Sequence, residues 1–346
     1  MDGYEILSFL RRNAEPAVLA TVVEVKGHAY RKAGAMMLLK EDGSAVGSVS
    51  PGCLESDLRE RVRGLLRSGR SEIVAYDLRP EEDAVWGEAV GCGGALRILL
   101  EPVGGELRRL LGQIAERNAR GETVCLERIR ADGGLRYKLA SAAGSEGGNS
   151  RVRELERGGA LFFSQLFEPR PRLILFGAGR DADPIVRLAG RIGFQVAVAD
   201  WRPSLVSEER FPGLELAVGS AGAIAERLNI GAGDYALLCG HQLQRDREML
   251  ELLLAIGPAY VGVMGSQSRI RHLFDGLPKR DFVHAPVGLS IGSEGAEEIA
   301  VSIAAELIAV RSGLRASAAG RRTEAAGMPA LGEADVFEAQ NVCEWR

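Results

Sequence analysis

A glycine-rich turn in the second half of the chain has the residue types and spacing of a phosphate-binding site. The segment Gly177–Ala182 follows a short apolar run that predicts a buried strand, and a helical pattern follows it. Gly177 permits a tight turn, and Gly179 lets backbone N–H groups approach a phosphate held at the helix N-terminus. Asp200 ends the next predicted strand, about 20 residues further on, where an acidic residue meets a ribose hydroxyl in dinucleotide-binding proteins. The pattern predicts the fold, and leaves open whether the ligand is NAD, another phosphorylated molecule or none.

Two later strand ends carry side chains that could reach the same ligand. His241 follows the predicted strand Tyr235–Cys239, and its imidazole could donate to a phosphate or transfer a proton. A structural role in a loop is the open alternative for this histidine. Ser266 has the type and position of a helix N-cap, and Arg269 lies in the first turn of that helix. Anion binding by these two residues is a second open prediction.

Two cysteines beside glycines in the first half of the chain could present reactive thiols. Cys53 follows Pro51-Gly52 at the start of a helical pattern, where the helix dipole favours a thiolate. Cys92 lies in the turn Gly91–Gly94, whose backbone is free to approach a ligand. Burial as apolar filler is the alternative for both cysteines. Two thiols alone cannot complete a tetrahedral zinc site, so no metal site is predicted.

The elements that position these groups predict an α/β protein with two domains. Residues 1–140 mix strands and helices and predict a smaller α+β domain. Residues 141–171 begin rich in glycine and serine and end with two prolines, which predicts a linker. Residues 172–315 alternate apolar strands with helices, which predicts a Rossmann-type parallel sheet. Residues 316–346 lack periodicity and predict a loosely ordered tail.

Composition and charge exclude several classes of partner. The formal net charge of −4 provides no electrostatic footprint for nucleic acid or for an anionic membrane surface. No uncharged run approaches the roughly 20 apolar residues that span a bilayer. The N-terminus lacks the basic and apolar regions of a signal peptide, and the five cysteines are an odd number without paired spacing. We therefore expect a cytoplasmic protein without a disulfide framework.

Several sequence blocks in a fixed order resemble the XdhC/CoxI family of xanthine dehydrogenase accessory factors. The resemblance runs from about Ala17 to Gly313. Its N-terminal blocks are Ala20-Thr-Val-Val-Glu-Val, Gly34-Ala-Met-Met-Leu, Gly47-Ser-Val-Ser-Pro-Gly-Cys-Leu-Glu55 and Gly91-Cys-Gly-Gly94. The C-terminal blocks are Leu175-Phe-Gly-Ala-Gly179, Tyr260-Val-Gly, Gly265-Ser266, His284-Ala-Pro-Val-Gly-Leu-Ser-Ile-Gly292 and Glu298-Ile-Ala-Val-Ser-Ile303.

The resemblance implies that the chain handles the molybdenum cofactor, molybdopterin, as a chaperone more than as a catalyst. Members of the family are understood to bind this cofactor, to support its sulfuration and to deliver it to a molybdenum hydroxylase such as xanthine dehydrogenase. A cysteine desulfurase and a second copy of the chain remain open as partners. On this interpretation the pterin phosphate lies at Gly177–Ala182, with Arg180 and Ser266 nearby. Cys53 and Cys92 serve the soft molybdenum end.

The chain departs from the family pattern at positions that bear on the ligand. Pro51 replaces a glycine before Cys53. Arg180 replaces the histidine of the family's Gly-Ala-Gly-His, so the turn Gly177–Ala182 carries a permanent positive charge. Two alternatives therefore stay open. The first is an NAD(P)-dependent oxidoreductase that uses Asp200 and His241. The second is a thiol-based sulfur carrier that uses Cys53 or Cys92.

Overall fold

The chain divides into two compact units, Met1–Pro171 and Arg172–Arg346. The structure is a computed structural model that describes residues 2–78, 94–131, 134–141, 152–157 and 160–313. Cys92 and the predicted tail, residues 316–346, lie outside the described residues. Within the described residues, no helix is both long enough and apolar enough to cross a membrane.

The N-terminal unit contains a five-stranded antiparallel sheet with helices packed against it. The sheet has the order β3-β2-β1-β5-β4. Its strands are β1 (Ala17–Lys26), β2 (Met36–Lys40), β3 (Ala45–Gly47), β4 (Glu72–Asp77) and β5 (Ala95–Pro102), and its helices are α1 (Asp2–Arg12), α2 (Glu55–Ser68) and α3 (Gly105–Ala119). The first seven residues of β1 are buried because the strand lies in the middle of the sheet. Cys53 lies in the loop that joins β3, at the edge of the sheet, to α2.

A second, four-stranded antiparallel sheet completes this unit and corrects the prediction of a linker over residues 141–171. Its order is β7-β6-β9-β8, and its strands are β6 (Val124–Ala131), β7 (Gly134–Ser141), β8 (Val152–Arg157) and β9 (Ala160–Phe167). Phe163, Gln165 and Phe167 of β9 alternate inward and are buried. This alternation of buried and half-buried residues indicates a strand. The linker prediction rested instead on the glycine- and serine-rich run at the start of the segment.

A buried polar cluster joins the two sheets of the N-terminal unit. The Nε of Arg128 donates to both carboxylate oxygens of Glu101, at 2.9 and 2.8 Å, and its Nη1 donates to Gln165 Oε1 at 3.0 Å. The side chains of Arg128 and Glu101 are only 2% and 0% exposed. Among the described residues the Nη2 of Arg128 has no hydrogen-bond partner. The fold therefore depends on a fully desolvated ion pair between β5 and β6.

The C-terminal unit is a six-stranded sheet, parallel throughout, and it confirms the predicted Rossmann-type fold. Its order is β12-β11-β10-β13-β14-β15, so the chain changes direction across the sheet between β10 and β13. The strands are β10 (Arg172–Phe176), β11 (Gln195–Asp200), β12 (Glu215–Val218), β13 (Tyr235–Leu238), β14 (Tyr260–Val263) and β15 (Val283–His284). In such sheets a ligand binds at the carboxyl ends of the strands, at the point where the strand order reverses.

Helices cover both faces of this parallel sheet. They are α4 (Ala182–Arg191), α5 (Ala221–Arg227), α6 (Leu243–Ile256), α7 (Gln267–Leu273) and α8 (Gly295–Arg311). Two hydrophobic clusters result, one around Leu175 and Val198 with α4 and α8, the other around Ile174 and Ala197 with α5 and α6. Burial on both faces explains why β10 and β11 are continuous apolar runs rather than alternating ones.

Candidate functional site

The turn after β10 lies at the point where the strand order reverses. Gly177 has φ +106°, a conformation that side chains other than that of glycine rarely adopt. A Cβ at this position would lie 2.6 Å from the carbonyl carbon of Cys239 and 2.6 Å from the backbone nitrogen of Gly240. Gly177 therefore serves both the turn and the close packing of β10 against the end of β13.

Backbone donors at the turn are free to bind an anion. The N–H groups of Gly179, Arg180 and Asp181 have no acceptor within the part of the chain that the structure describes. Helix α4 begins directly afterwards, and no side chain caps its first turn. Its dipole therefore adds to the three donors. The Arg180 side chain is exposed and forms no ion pair with any described residue, so its charge is available to a ligand.

Arg210 holds the turn in place, and the sequence patterns did not predict it. Its guanidinium donates to the carbonyl oxygens of Ala178 at 2.6 Å and Gly179 at 2.5 Å, and it pairs with Asp183 in the first turn of α4. These bonds fix the carbonyls away from the side on which the N–H groups are free. Arg210 follows an irregular loop 31 residues after Gly179, so no local motif marks it.

His241 lies against the turn, as its position at a strand end predicted. A Cβ on Gly179 would be 3.2 Å from the Nε2 of His241, so the ring lies directly beside this glycine. The imidazole is exposed. Next to it, the carboxylate of Asp246 lies so close to Gly240 that any side chain there would clash with it. The structure therefore brings together Gly177, Gly179, Arg180 and His241.

Asp200 is committed to internal hydrogen bonds. Its Oδ2 accepts the Ala178 N–H at 2.8 Å and an Nη2 bond from Arg202 at 2.8 Å. Its Oδ1 accepts the backbone N–H of Arg202 at 2.8 Å and its Nε at 2.9 Å. Burial opposes ionisation of Asp200, but the bonds from Arg202 and Ala178 outweigh it and hold its pKa below the usual value. A carboxylate offers about four acceptor positions, and all four are used here.

Ser266 and Arg269 are also engaged within the protein. Ser266 is the N-cap of α7, as predicted, and its hydroxyl oxygen accepts the Arg269 N–H at 3.3 Å. The guanidinium of Arg269 pairs with Asp246 and donates to the carbonyl oxygen of Gly240 at 3.2 Å. Burial raises the pKa of Asp246, and the charge of Arg269 opposes that rise. These side chains stabilise the loop that carries His241.

Cys53 lies in a loop whose backbone is hydrogen-bonded to the neighbouring side chain of Ser50. The Ser50 hydroxyl accepts the N–H groups of Gly52 and Leu54, at 3.1 and 3.2 Å, and is itself bonded to the buried carboxylate of Glu55. Among the described cysteines Cys53 is half-buried, whereas Cys125 and Cys239 are buried. Burial raises the pKa of both buried thiols. Cys53 is therefore the described thiol that reagents and ligands reach most readily.

Comparisons with known proteins agree with this architecture. Family models described as the XdhC Rossmann domain and as the XdhC and CoxI family match residues 173–307 and 10–77. A Bacillus subtilis protein, named as a probable subunit of xanthine dehydrogenase, is 34% identical over 89% of this chain and 97% of that protein. The molybdenum cofactor insertion chaperone PaoD of Escherichia coli is 27% identical, over 85% of this chain and 83% of that protein.

A solved structure shows the same fold over most of the chain. The crystal structure of a protein described as a xanthine dehydrogenase from Bacillus halodurans superimposes with a TM-score of 0.81 at 35% identity, covering 90% of this chain and 96% of that chain. The matched regions include the glycine-rich turn after β10 and the loop that carries Cys53. This chain is therefore a member of the XdhC and CoxI family.

Proposed function

We propose that the chain is an accessory factor for a molybdenum hydroxylase, and that it binds the molybdenum cofactor, supports its sulfuration and delivers it to that enzyme. One relative is named as a molybdenum cofactor insertion chaperone and another as part of a xanthine dehydrogenase, and both names support the accessory role. In this proposal the cofactor is cargo. The partner is xanthine dehydrogenase or a related hydroxylase.

The observation that carries the proposal is the unsatisfied set of donors at the turn after β10. Three backbone N–H groups without acceptors, the start of α4 and the unpaired guanidinium of Arg180 lie next to one another within the described part of the chain. The terminal phosphate of molybdopterin suits these donors. His241, beside Gly179, would donate a further hydrogen bond or carry a proton. Asp200, Ser266 and Arg269 position this site rather than contact the phosphate.

The molybdenum end of the cofactor needs a different type of ligand. Molybdenum held by a dithiolene is soft, and thiolates are the protein ligands that suit it. We assign this role to Cys53, together with Cys92 as the second candidate. A cysteine desulfurase would load Cys53 by exchange: the thiolate of Cys53 attacks the outer sulfur of the enzyme's persulfide, and the enzyme's cysteine leaves as a thiolate.

The same geometry argues against an NAD(P)-dependent oxidoreductase. That alternative needs Asp200 to accept the hydroxyls of a ribose. All four acceptor positions of Asp200 are already used by Ala178 and Arg202. To accept a hydrogen bond from a ribose hydroxyl, the buried Asp200 carboxylate would have to lose one of these bonds.

Replacing Arg180 with alanine tests the phosphate site. A hydrogen bond to a charged group contributes about 1.5–3 kcal/mol, so we expect the Arg180→Ala protein to retain molybdenum cofactor at least about tenfold more weakly. Retention is measured as pterin fluorescence released from the repurified full-length chain. The control is Arg187→Ala, because Arg187 lies on α4, the helix that follows the turn, and pairs with Glu297 on the surface. Equal retention by both variants and the wild type would remove the turn as the phosphate site.

Replacing Cys53 with serine tests the thiol. After incubation with a cysteine desulfurase and sulfur-labelled cysteine, we expect Cys53→Ser to carry less than about half of the wild-type label, because Cys92 is the remaining candidate. Cys125→Ser is the matched control, since Cys125 is buried and its sulfur contacts the Ser164 hydroxyl. Undiminished labelling of Cys53→Ser would exclude Cys53 as the sulfur acceptor.

A further inference from the structure

We propose that this chain selects the monophosphate form of the molybdenum cofactor and rejects forms extended by a nucleotide. The inference rests on the proposed function, because it assumes that the cofactor phosphate lies at the turn after β10. The supporting observation is a groove beside that turn, on the side of β11 and β12, that has little free space. There, the side chain of Arg202 closes the space that a second nucleoside would need.

The position of that space follows from the sheet. In Rossmann-type proteins a dinucleotide places its pyrophosphate at the turn, and one nucleoside extends toward the acidic residue that ends the second strand. In this chain that side of the crevice is a groove, lined by side chains and backbone from β11, the loop after β12 and α6. The residues that shape it are Asp200, Trp201, Arg202, Gly219, Asp246 and Met249.

The groove is too small for a nucleoside. It encloses about 40 Å³, which is room for a few water molecules, whereas pockets for drug-sized ligands enclose about 300–1,000 Å³. Arg202 fills it by lying across Asp200. Its guanidinium also lies over one face of the Trp201 ring, 5.4 Å from the ring centre, where a base could otherwise stack.

Opening the groove would break an ion pair whose carboxylate is buried. The Asp200 side chain is 1% exposed and that of Arg202 is 31% exposed. If the guanidinium moved out, the buried carboxylate would lose two of its four hydrogen bonds and keep only the N–H groups of Ala178 and Arg202. Leaving a buried charge underbonded is strongly unfavourable. A cofactor that ends at one phosphate does not enter the groove and carries no such penalty, which is selection by exclusion.

The test compares two forms of the cofactor on the full-length chain. Molybdenum cofactor in the monophosphate form and in the cytosine-dinucleotide form are titrated separately, and bound pterin is measured by fluorescence after release. We expect the wild type to bind the monophosphate form at least tenfold more tightly. Arg202→Ala frees the Asp200 oxygens and the Trp201 face, so we expect this ratio of affinities to fall at least fivefold. Arg187→Ala should keep the wild-type ratio.

A second variant guards against misfolding. Arg202→Ala leaves the Asp200 carboxylate buried without its countercharge. The double variant Asp200→Asn/Arg202→Ala opens the same groove without leaving a buried charge. We expect its ratio of affinities for the two cofactor forms to fall as well. Equal wild-type affinity for the two forms, or a wild-type ratio in both variants, would overturn the inference and leave the proposed function standing. Binding of neither form by the wild type would remove the proposed function and the inference with it.

Discussion

Replacing Glu101 with alanine is expected to destabilise the N-terminal unit by about 3–5 kcal/mol, because it leaves the Arg128 guanidinium buried without its countercharge. Arg128 is almost fully desolvated, and Gln165 is its remaining side-chain partner among the described residues. Water cannot reach the charge without opening the contact between the two antiparallel sheets. Urea unfolding followed by circular dichroism measures the change.

Two controls separate a buried charge from the loss of any acidic side chain. Glu122 pairs with Arg117 at 2.8 Å, but both side chains are substantially exposed, at 43% and 33%. Glu122→Ala should therefore cost less than about 1 kcal/mol. The double variant Glu101→Leu/Arg128→Met replaces the pair by apolar groups and should recover most of the lost stability. A Glu101→Ala protein as stable as Glu122→Ala would show that the pair is not desolvated as described.

Replacing Gly177 with alanine is expected to abolish cofactor retention and to destabilise the C-terminal unit by roughly 3 kcal/mol. The new Cβ would require both an unfavourable φ of +106° and a 2.6 Å approach to the backbone of Cys239 and Gly240. Relief of this clash moves the turn away from the end of β13. The free N–H groups would then no longer converge on one phosphate.

Gly190→Ala provides the matched control, because it makes the same substitution near the end of α4. A Cβ there meets no atom within 4 Å, so alanine should stabilise the helix by about 0.5–1 kcal/mol. Calorimetry and pterin retention are measured on both variants. If Gly177→Ala kept the wild-type melting temperature and retention, the tight turn described here would be wrong.

Local sequence patterns predicted those parts of the fold that depend on neighbours in the chain. The predicted strand Tyr235–Cys239 appears as Tyr235–Leu238, and Ser266 is the N-cap of α7, because an apolar run and a helix N-cap residue are local signals. The parallel sheet followed from the alternation of strands and helices. The missed strands β8 and β9 are stabilised by pairing with each other and, for β9, with β6 across a long sequence separation, which no local pattern reports.

For the candidate site, too, the sequence predicted only those residues whose positions follow from local patterns. Gly177, Gly179 and His241 follow from strand ends, whose place at one edge of a parallel sheet is a rule of the fold. The roles of Asp200, Arg202 and Arg210 depend on which guanidinium reaches which acceptor in three dimensions. Asp200 ends β11 as the sequence predicted, but its hydrogen bonds with Ala178 and Arg202 could not be predicted from the sequence.

The most direct test of cofactor binding is the identity of the small molecule that the purified full-length chain retains after incubation with molybdenum cofactor, with NAD present as a competitor. Mass spectrometry and fluorescence of the released material provide the measurement. We predict near-stoichiometric phosphorylated pterin that excess NAD does not displace, because the turn after β10 offers free donors while Asp200 has no free acceptor. Retained NAD with no pterin would contradict cofactor binding at this turn and favour an oxidoreductase.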